Sequence, residues 1–321
     1  MACGKKCDCN LGVQNSGQGC PTIIEVMKAF GIMYMKDGAG ANNFIDLTTA
    51  TGAWAAYFTA LINQADKRKR LYSYPEVKNV EDLRDDPVIK TWNDDSINFV
   101  RDGIRKVKII FPTDNFSIHL VSQLESLRCA GNIGLFAYEA NGTMRGRISE
   151  DGTKLYPIRI DEKSIAVKLV KPQDKDVPMI EMTFNFHSSE KDCSLGEVIK
   201  EEMDDIEILA FEGLMDVHLK TVSVSTIQAK VILYNDFGTS LNKGRITGLL
   251  VADFVSSDGG ATSKLYNKTD DADVIITSVS EVNGEYTLNY AAQTVADILI
   301  ITAKKNGFDF TDTVEVENEV A

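Results

Sequence analysis

The apolar pattern of this chain changes character once along its length. Residues 22–221 alternate short strand-like runs with two helical stretches, and residues 222–321 carry strand-like runs alone. Such a chain is predicted to fold as two units, the first α+β but mainly β, the second all-β. A length of 321 residues suffices for two cores of ordinary size.

Residues 1–21, rich in Cys, Gly and Asn, have little to bury and read as an arm. Thr22–Met35 reads as a strand or two, and Asp37–Asn43 as a turn. Trp54, Tyr57, Phe58, Leu61 and Ile62 recur at helical spacing and predict a helix over 52–65. Asp66–Pro87 is polar, charged and contains Tyr72, Tyr74 and Pro75, so it reads as a long excursion outside the core. A β block follows, with strands at Val88–Trp92, Ile97–Val100 and Ile104–Phe111 and turns at Asn93–Asp95 and Asp102–Gly103. Asp114 is placed to cap a helix carrying Phe116, Leu120, Val121, Leu124 and Leu127, with Gly131 at its stop. Leu135–Glu139 and Met144–Ile148 flank Asn141–Gly142, a hairpin signal. Ile165–Val170 and Met179–Phe186 alternate as strands, Glu197–Glu207 reads as an acidic helix or exposed linker, and Ile208–Val224 returns to strand. The sum is an antiparallel sheet with helical cover.

Beyond residue 222, strands are predicted at Lys230–Leu233, Gly248–Phe254, Val274–Val282, Tyr286–Tyr290, Ile298–Ala303 and Val314–Val316. Their separators, Asn235–Gly238, Ser256–Gly260, Asn283–Gly284 and Asn306–Gly307, are Asn-, Asp- and Gly-rich. This spacing argues for a β-sandwich of immunoglobulin type, without the cysteine pair that pins antibody domains.

The candidates for chemistry do not assemble into a catalytic set, so the chain reads as a non-enzyme without a cofactor. Of the three histidines, His119 falls in the second helix and His218 in a strand, while His187 opens a polar turn with Ser188, Ser189, Asp192 and Cys193. No phosphate loop, dinucleotide fingerprint, nucleophile elbow or zinc-protease motif occurs. Asp270, Asp271 and Asp273 lack calcium-loop spacing and read as an acidic turn. Cys3, Cys7, Cys9 and Cys20 are the metal-ligand candidates. Their C-x3-C-x-C-x10-C spacing departs from the paired knuckles of zinc sites, so free thiols on an arm are the competing reading. Cys129, at a helix end, reads as a buried small hydrophobe.

Charge adds a constraint. The net value is −13, from 34 basic and 47 acidic residues, which lacks the cationic surplus that binds DNA. The run Lys67–Arg70 is followed by Glu76, Glu81, Asp82, Asp85 and Asp86 and reads as a solvated face. A negative wall instead lets DNA slide past. No run of eighteen apolar residues occurs, and Glu25 and Lys28 break the first apolar stretch, so synthesis in the cytoplasm without membrane insertion is expected.

Several segments carry a resemblance: GCPTIIEVMKAF, TWNDDSINFVRDGIRKV, LRCAGNIGLFAYEANGTMRG, EDGTKLYPIRI and ITGLLVADF…SVSEVNGEYTLNYAAQ…KNGFDF. With them the chain resembles virion proteins of tailed phages infecting Bacteroidetes, the crAss-like phages among them, whose last domain is often immunoglobulin-like. In outline the first half is similar to the tail-tube fold. That resemblance implies homo-oligomeric rings around a DNA channel in a tail tube, tail hub or head-to-tail joining region. Other tail, portal or capsid proteins would be its partners. It further implies a long loop that reaches the next ring. Asp66–Pro87 would be that loop, with Arg70, Tyr72, Tyr74, Pro75, Glu76 and Asp85 as contacts. Two alternatives stand beside it: a capsid auxiliary or decoration protein, and a host-surface adhesin whose sandwich binds carbohydrate through Tyr266, Tyr286 and Tyr290.

Overall fold

The computed structural model describes residues 26–48, 52–74, 77–93, 95–101, 103–112, 119–171, 178–190, 194–239, 242–255, 264–310 and 317–320. It divides between Gly213 and Leu214 into two compact units. Among the described residues no helix is long and apolar enough to cross a membrane.

The first unit contains β1 (Met27–Tyr34), β2 (Ile45–Asp46), α1 (Trp54–Ile62), β3 (Tyr72–Tyr74), β4 (Asn79–Asp82), β5 (Val88–Thr91), β6 (Ile97–Arg101), β7 (Lys106–Pro112), α2 (His119–Ser126), β8 (Ile133–Glu139), β9 (Met144–Ile148), β10 (Lys154–Tyr156), β11 (Ile158–Val170), β12 (Met179–Phe186) and β13 (Leu195–Val198). Eleven of these strands form one sheet in the order β2-β10-β9-β8-β11-β12-β7-β4, with β1 on β8, β3 on β1 and β13 on β9. All its pairings are antiparallel.

The long strand β11 joins the two halves of this sheet, pairing β8 on one side and β12 on the other. Its register slips between Asp161 and Ala166. The Ser164 hydroxyl fills the slip, donating to the Asp161 carbonyl while accepting from the Asn185 amide at 2.7 Å. Such a bulge bends a strand and raises its twist, so the sheet curves around a core that includes Phe30, Ile109, Phe111, Leu135, Ile160 and Phe184. Both helices bury the faces their spacing dictates, and α2 packs against this core. Trp54, Phe58 and Ile62 are the buried stripe of α1, and Leu120 and Leu124 that of α2. Arg145 on β9 is clamped between Glu139 of β8 at 2.7 Å and Glu197 of β13 at 2.9 Å. That triad ties the edge strand β13 into the sheet.

Several expectations are corrected here. Asp66–Pro87 is not an excursion, because it supplies β3, β4 and two fully buried side chains, Leu71 and Val77. The strand expected over Ile208–Val224 begins at Met215, after a short 3-10 turn at Ile208–Ala210. The acidic stretch Glu197–Glu207 is neither helix nor free linker. It opens in β13 and continues as a 3-10 turn, Lys200–Met203, that buries Met203. Cys129 ends a 3-10 extension of α2 and is exposed.

The second unit contains β14 (Met215–Val224), β15 (Gln228–Thr239), β16 (Asn242–Arg245), β17 (Phe254–Val255), β18 (Lys264–Asn267), β19 (Ala272–Val282), β20 (Glu285–Tyr290), β21 (Ile298–Ile300), β22 (Thr302–Ala303), β23 (Phe308–Asp309) and β24 (Glu317–Glu319). Nine of them follow one hydrogen-bonded path, β23-β14-β15-β20-β19-β18-β21-β24 with β16 on β15. The remaining pair, β17 and β22, contributes Phe254 and Ala303 to the same core. Asn283 and Gly284 both take positive φ at the tight β19–β20 turn, as the sequence predicts. Asn235–Gly238, expected as a separator, lies inside β15, and Gly248–Asp253 is not strand but irregular chain ending in a 3-10 turn at Val251–Asp253.

Two tyrosines pin this core. The Tyr286 hydroxyl accepts from the Leu249 amide at 3.1 Å and donates to the Ile246 carbonyl at 3.0 Å. The Tyr290 hydroxyl donates to the Ser225 carbonyl at 2.9 Å. Burial pushes the Tyr290 phenol up to about 12. An unfolded tyrosine ionises near pH ~10. Below that pH both states are protonated and the contribution of Tyr290 is fully present. Between about pH 10 and 12 the unfolded chain releases a proton that the folded unit keeps, so stability falls by about 1.4 kcal/mol per pH unit. Tyr290→Phe is therefore expected to cost about 1 kcal/mol at pH ~8, from the lost hydrogen bond, and to flatten the alkaline decline. Urea titrations of both proteins at pH ~8 and ~11.5 check this, and an equal decline in the two would refute it.

Candidate assembly arm

Between β4 and β7 the chain leaves the core as a single long hairpin. Its base is ordinary sheet: Asn79 faces Ile110 and Asp82 faces Val107. Beyond that ladder the Leu83 amide donates to the Lys106 carbonyl at 2.8 Å and the Asp85 amide to the Ile104 carbonyl at 3.0 Å. Gly103 is required at this neck, since an added Cβ would lie 1.6 Å from the Asp85 carbonyl oxygen. The outer half is β5 paired with β6, from Val88 opposite Arg101 to Thr91 opposite Ile97. At the tip the Trp92 amide donates to the Ser96 carbonyl, and Asp95 takes φ of 61° to close the turn.

The residues on this outer half are those of a buried strand. Ile89 faces Phe99 and Thr91 faces Ile97, two residues apart, so all four share one face. The other face carries Val88, Lys90 and Trp92, with the Lys90 ammonium 3.9 Å from the Trp92 ring centroid. Both faces are nevertheless bare: Ile97 is 68%, Phe99 60%, Ile89 54% and Trp92 46% exposed. At the root, Ile109 and Phe111 of β7 are fully buried in the core. One hairpin thus begins in the core and ends as a two-sided apolar blade whose sheet holds two strands. Apolar patches of this kind and unpaired strand edges are where proteins pair with one another. A strand apolar on one face needs one cover, whereas one apolar on both needs cover on both.

The contacts expected from sequence fall mostly elsewhere. Arg70 is buried, with its Nε donating to the Gln64 carbonyl at 2.9 Å. Tyr72 lies in β3, its hydroxyl donating to the Lys67 carbonyl at 2.9 Å and its ring edge against Tyr34. Tyr74 stacks on Phe30 at 4.8 Å. These three are internal to the unit, because β3 is pulled in by pairing with β1. Asp85 is exposed on the arm's neck. Pro75, Glu76, Cys3, Cys7, Cys9, Cys20 and Cys193 lie outside the described residues.

The other chemical candidates are also accounted for. His187 Nδ1 lies 2.8 Å from the Ser189 hydroxyl within a local turn. His218 packs on Tyr234, with ring centroids 5.4 Å apart. Asp270, Asp271 and Asp273 bind separately to Asn267, Tyr266 and Lys264. Tyr286 and Tyr290 are core residues, so the three tyrosines do not form a surface platform.

The chain matches no protein-family model, and no curated protein matches it.

Proposed function

We propose that the protein is a non-enzymatic structural subunit of a tailed bacteriophage particle, made in the bacterial cytoplasm and resident in the virion. Copies close into a ring in the tail tube, tail hub or head-to-tail joining region. The observation that carries this reading is the bare two-sided arm from Leu83 to Ile104. In this reading the arm seats on a neighbouring copy, and a closed ring repeats one heterologous interface until rotation completes it. Each large side chain fully covered there contributes about 1.5–3 kcal/mol before the costs of association. The first unit is then a tail-tube-like domain and the second an immunoglobulin-like sandwich. The charge of −13 gives DNA no resting place as it passes. The place of the loop expected at Asp66–Pro87 is taken by the arm.

Ile97→Ser with Phe99→Ser tests the reading, because both side chains are exposed and their loss leaves the core untouched. The variant is expected to melt with the wild type but to remain monomeric, while the wild type at high concentration forms rings or stacks visible by negative-stain electron microscopy. A wild type that stays monomeric at every concentration would remove the ring and favour a capsid auxiliary protein. The assembled ring is also expected to lack the affinity of about 10⁻⁴–10⁻⁶ M that nonspecific DNA binders reach at physiological salt.

A further inference from the structure

On the first unit, at the turn between β9 and β10, lies a cleft of about 580 Å³ lined by Arg147, Ser149, Asp151, Lys154, Tyr156 and Ser194. Its volume falls in the range of small-molecule sites. The two cations in it are arranged unusually for so acidic a chain. The Arg147 guanidinium lies 5.2 Å from the Tyr156 ring centroid and the Lys154 ammonium 4.6 Å from that of Phe44. The two rings meet edge to face at 5.7 Å. Neither cation has a carboxylate partner among the described residues. Arg145, two residues along the same strand, has two.

We propose that this cleft binds a hydroxylated organic anion, a sugar acid or sugar phosphate, whose oxyanion pairs with Arg147 and Lys154. A guanidinium laid over a ring keeps its N–H edge free, and that edge matches carboxylate and phosphate alike. Lys154 adds a second charge from the neighbouring strand. Inorganic anions alone would fill little of the volume, so the ligand has a body. The turn supplies an acceptor for hydroxyls on that body through Asp151. Asp151 stays ionised down to about pH 2, held first by the Ser149 hydroxyl and then by the Thr153 amide. Its charge is thus spent within the turn and not on either cation. The aromatic backing explains why two like charges are tolerated side by side: each is stabilised by a ring quadrupole. This site is independent of the arm and of the assembly reading.

Calorimetric titration of the full chain with glucuronate, glucose 6-phosphate and glucose, in low-salt buffer free of phosphate, decides the matter. At least one of the two acids is expected to bind with a Kd of millimolar order or tighter, and glucose is expected not to bind. The ratio of the two acids identifies carboxylate or phosphate as the preferred group. Arg147→Gln is expected to weaken the better acid by about tenfold or more, and Lys154→Gln by a smaller factor, since an arginine fork makes paired bonds and a lysine a point contact. If Arg147→Gln melts early, Lys154→Gln alone carries the comparison. Absence of binding by both acids, equal binding of glucose, or variants that bind as the wild type does would each overturn the proposal.

Discussion

A fragment beginning at Leu214 is expected to melt as one cooperative unit, and a fragment beginning at Val222 to show no folded transition. The difference is the first seven residues of β14. That strand lies between β15 and β23, facing β15 from Val217 opposite Asn235 to Val224 opposite Ala229, and pairing in parallel with Phe308. It buries Val217 and packs Leu219 against the core. Starting at Val222 discards both side chains, at about 1.5–3 kcal/mol for the fully buried Val217 and less for the partly buried Leu219. It also strips the ladder from Val231–Asn235 and leaves β23 without its partner. The sum reaches the whole stability of an ordinary domain, about 5–15 kcal/mol. Circular dichroism melts of the two fragments decide it. A fragment 222–321 that melts within a few degrees of fragment 214–321 would show that β14 is an accessory strand.

The second large effect is expected at Gly31 in the middle of β1. This residue is hydrogen-bonded into the sheet on both sides, facing Ser73 on β3 and Phe136 on β8. A Cβ there would lie 2.2 Å from the Tyr138 hydroxyl and 2.9 Å from Leu71 Cδ1. Both neighbours are buried, so neither can swing outward. Overpacking of this kind typically costs about 1–3 kcal/mol and sometimes more. Gly31→Ala is expected at the upper end of that range, and Gly31→Val is expected to unfold the first unit. The closest contact is the hydroxyl, so Tyr138→Phe should be worth more in the Gly31→Ala background than in the wild type. Urea midpoints of the four proteins give the coupling, and strict additivity would mean that the backbone shifts instead.

Much of this fold can be read in advance from local pattern. Met179–Phe186 is β12 to the residue, the helix expected over 52–65 is α1 at Trp54–Ile62, and Asn141–Gly142 turns β8 into β9. In the strand and the helix the apolar residues that set the period also face the core, and in the hairpin the turn residues set the backbone directly. The failures have a common cause. Tyr72–Tyr74 and Asn79–Asp82 are short, and they lie among Lys67–Arg70 and Asp82–Asp86. Composition there reads as solvent-exposed, although Arg70 buries its guanidinium stem against the Gln64 carbonyl. What makes them strands is pairing with β1 and β7, a long-range term that no window contains.

The arm is the opposite case. Val88–Trp92 and Ile97–Val100 read correctly as strands, but their apolar character does not reveal that this chain leaves them uncovered. Periodicity reports that a face is to be covered and says nothing about which molecule covers it. The ring candidates Tyr286 and Tyr290 fail in the same way: an aromatic on an alternating strand is read by type, while only the fold decides which side is inside.

The hairpin also has a mechanical meaning. Its root strand β7 runs alongside β12, from Lys106 opposite Asn185 to Pro112 opposite Met179. The neck between tip and root is held by the Leu83–Lys106 and Asp85–Ile104 backbone hydrogen bonds, where Gly103 packs against the Asp85 carbonyl. A pull on the tip therefore acts along β7, in line with the strand, and loads the β7–β12 hydrogen bonds together in shear rather than unzipping them one by one. Tension applied through a neighbour would pass straight into the buried centre of the first unit, at Ile109 and Phe111, and the subunit would behave as a stiff link in a chain rather than a hinge.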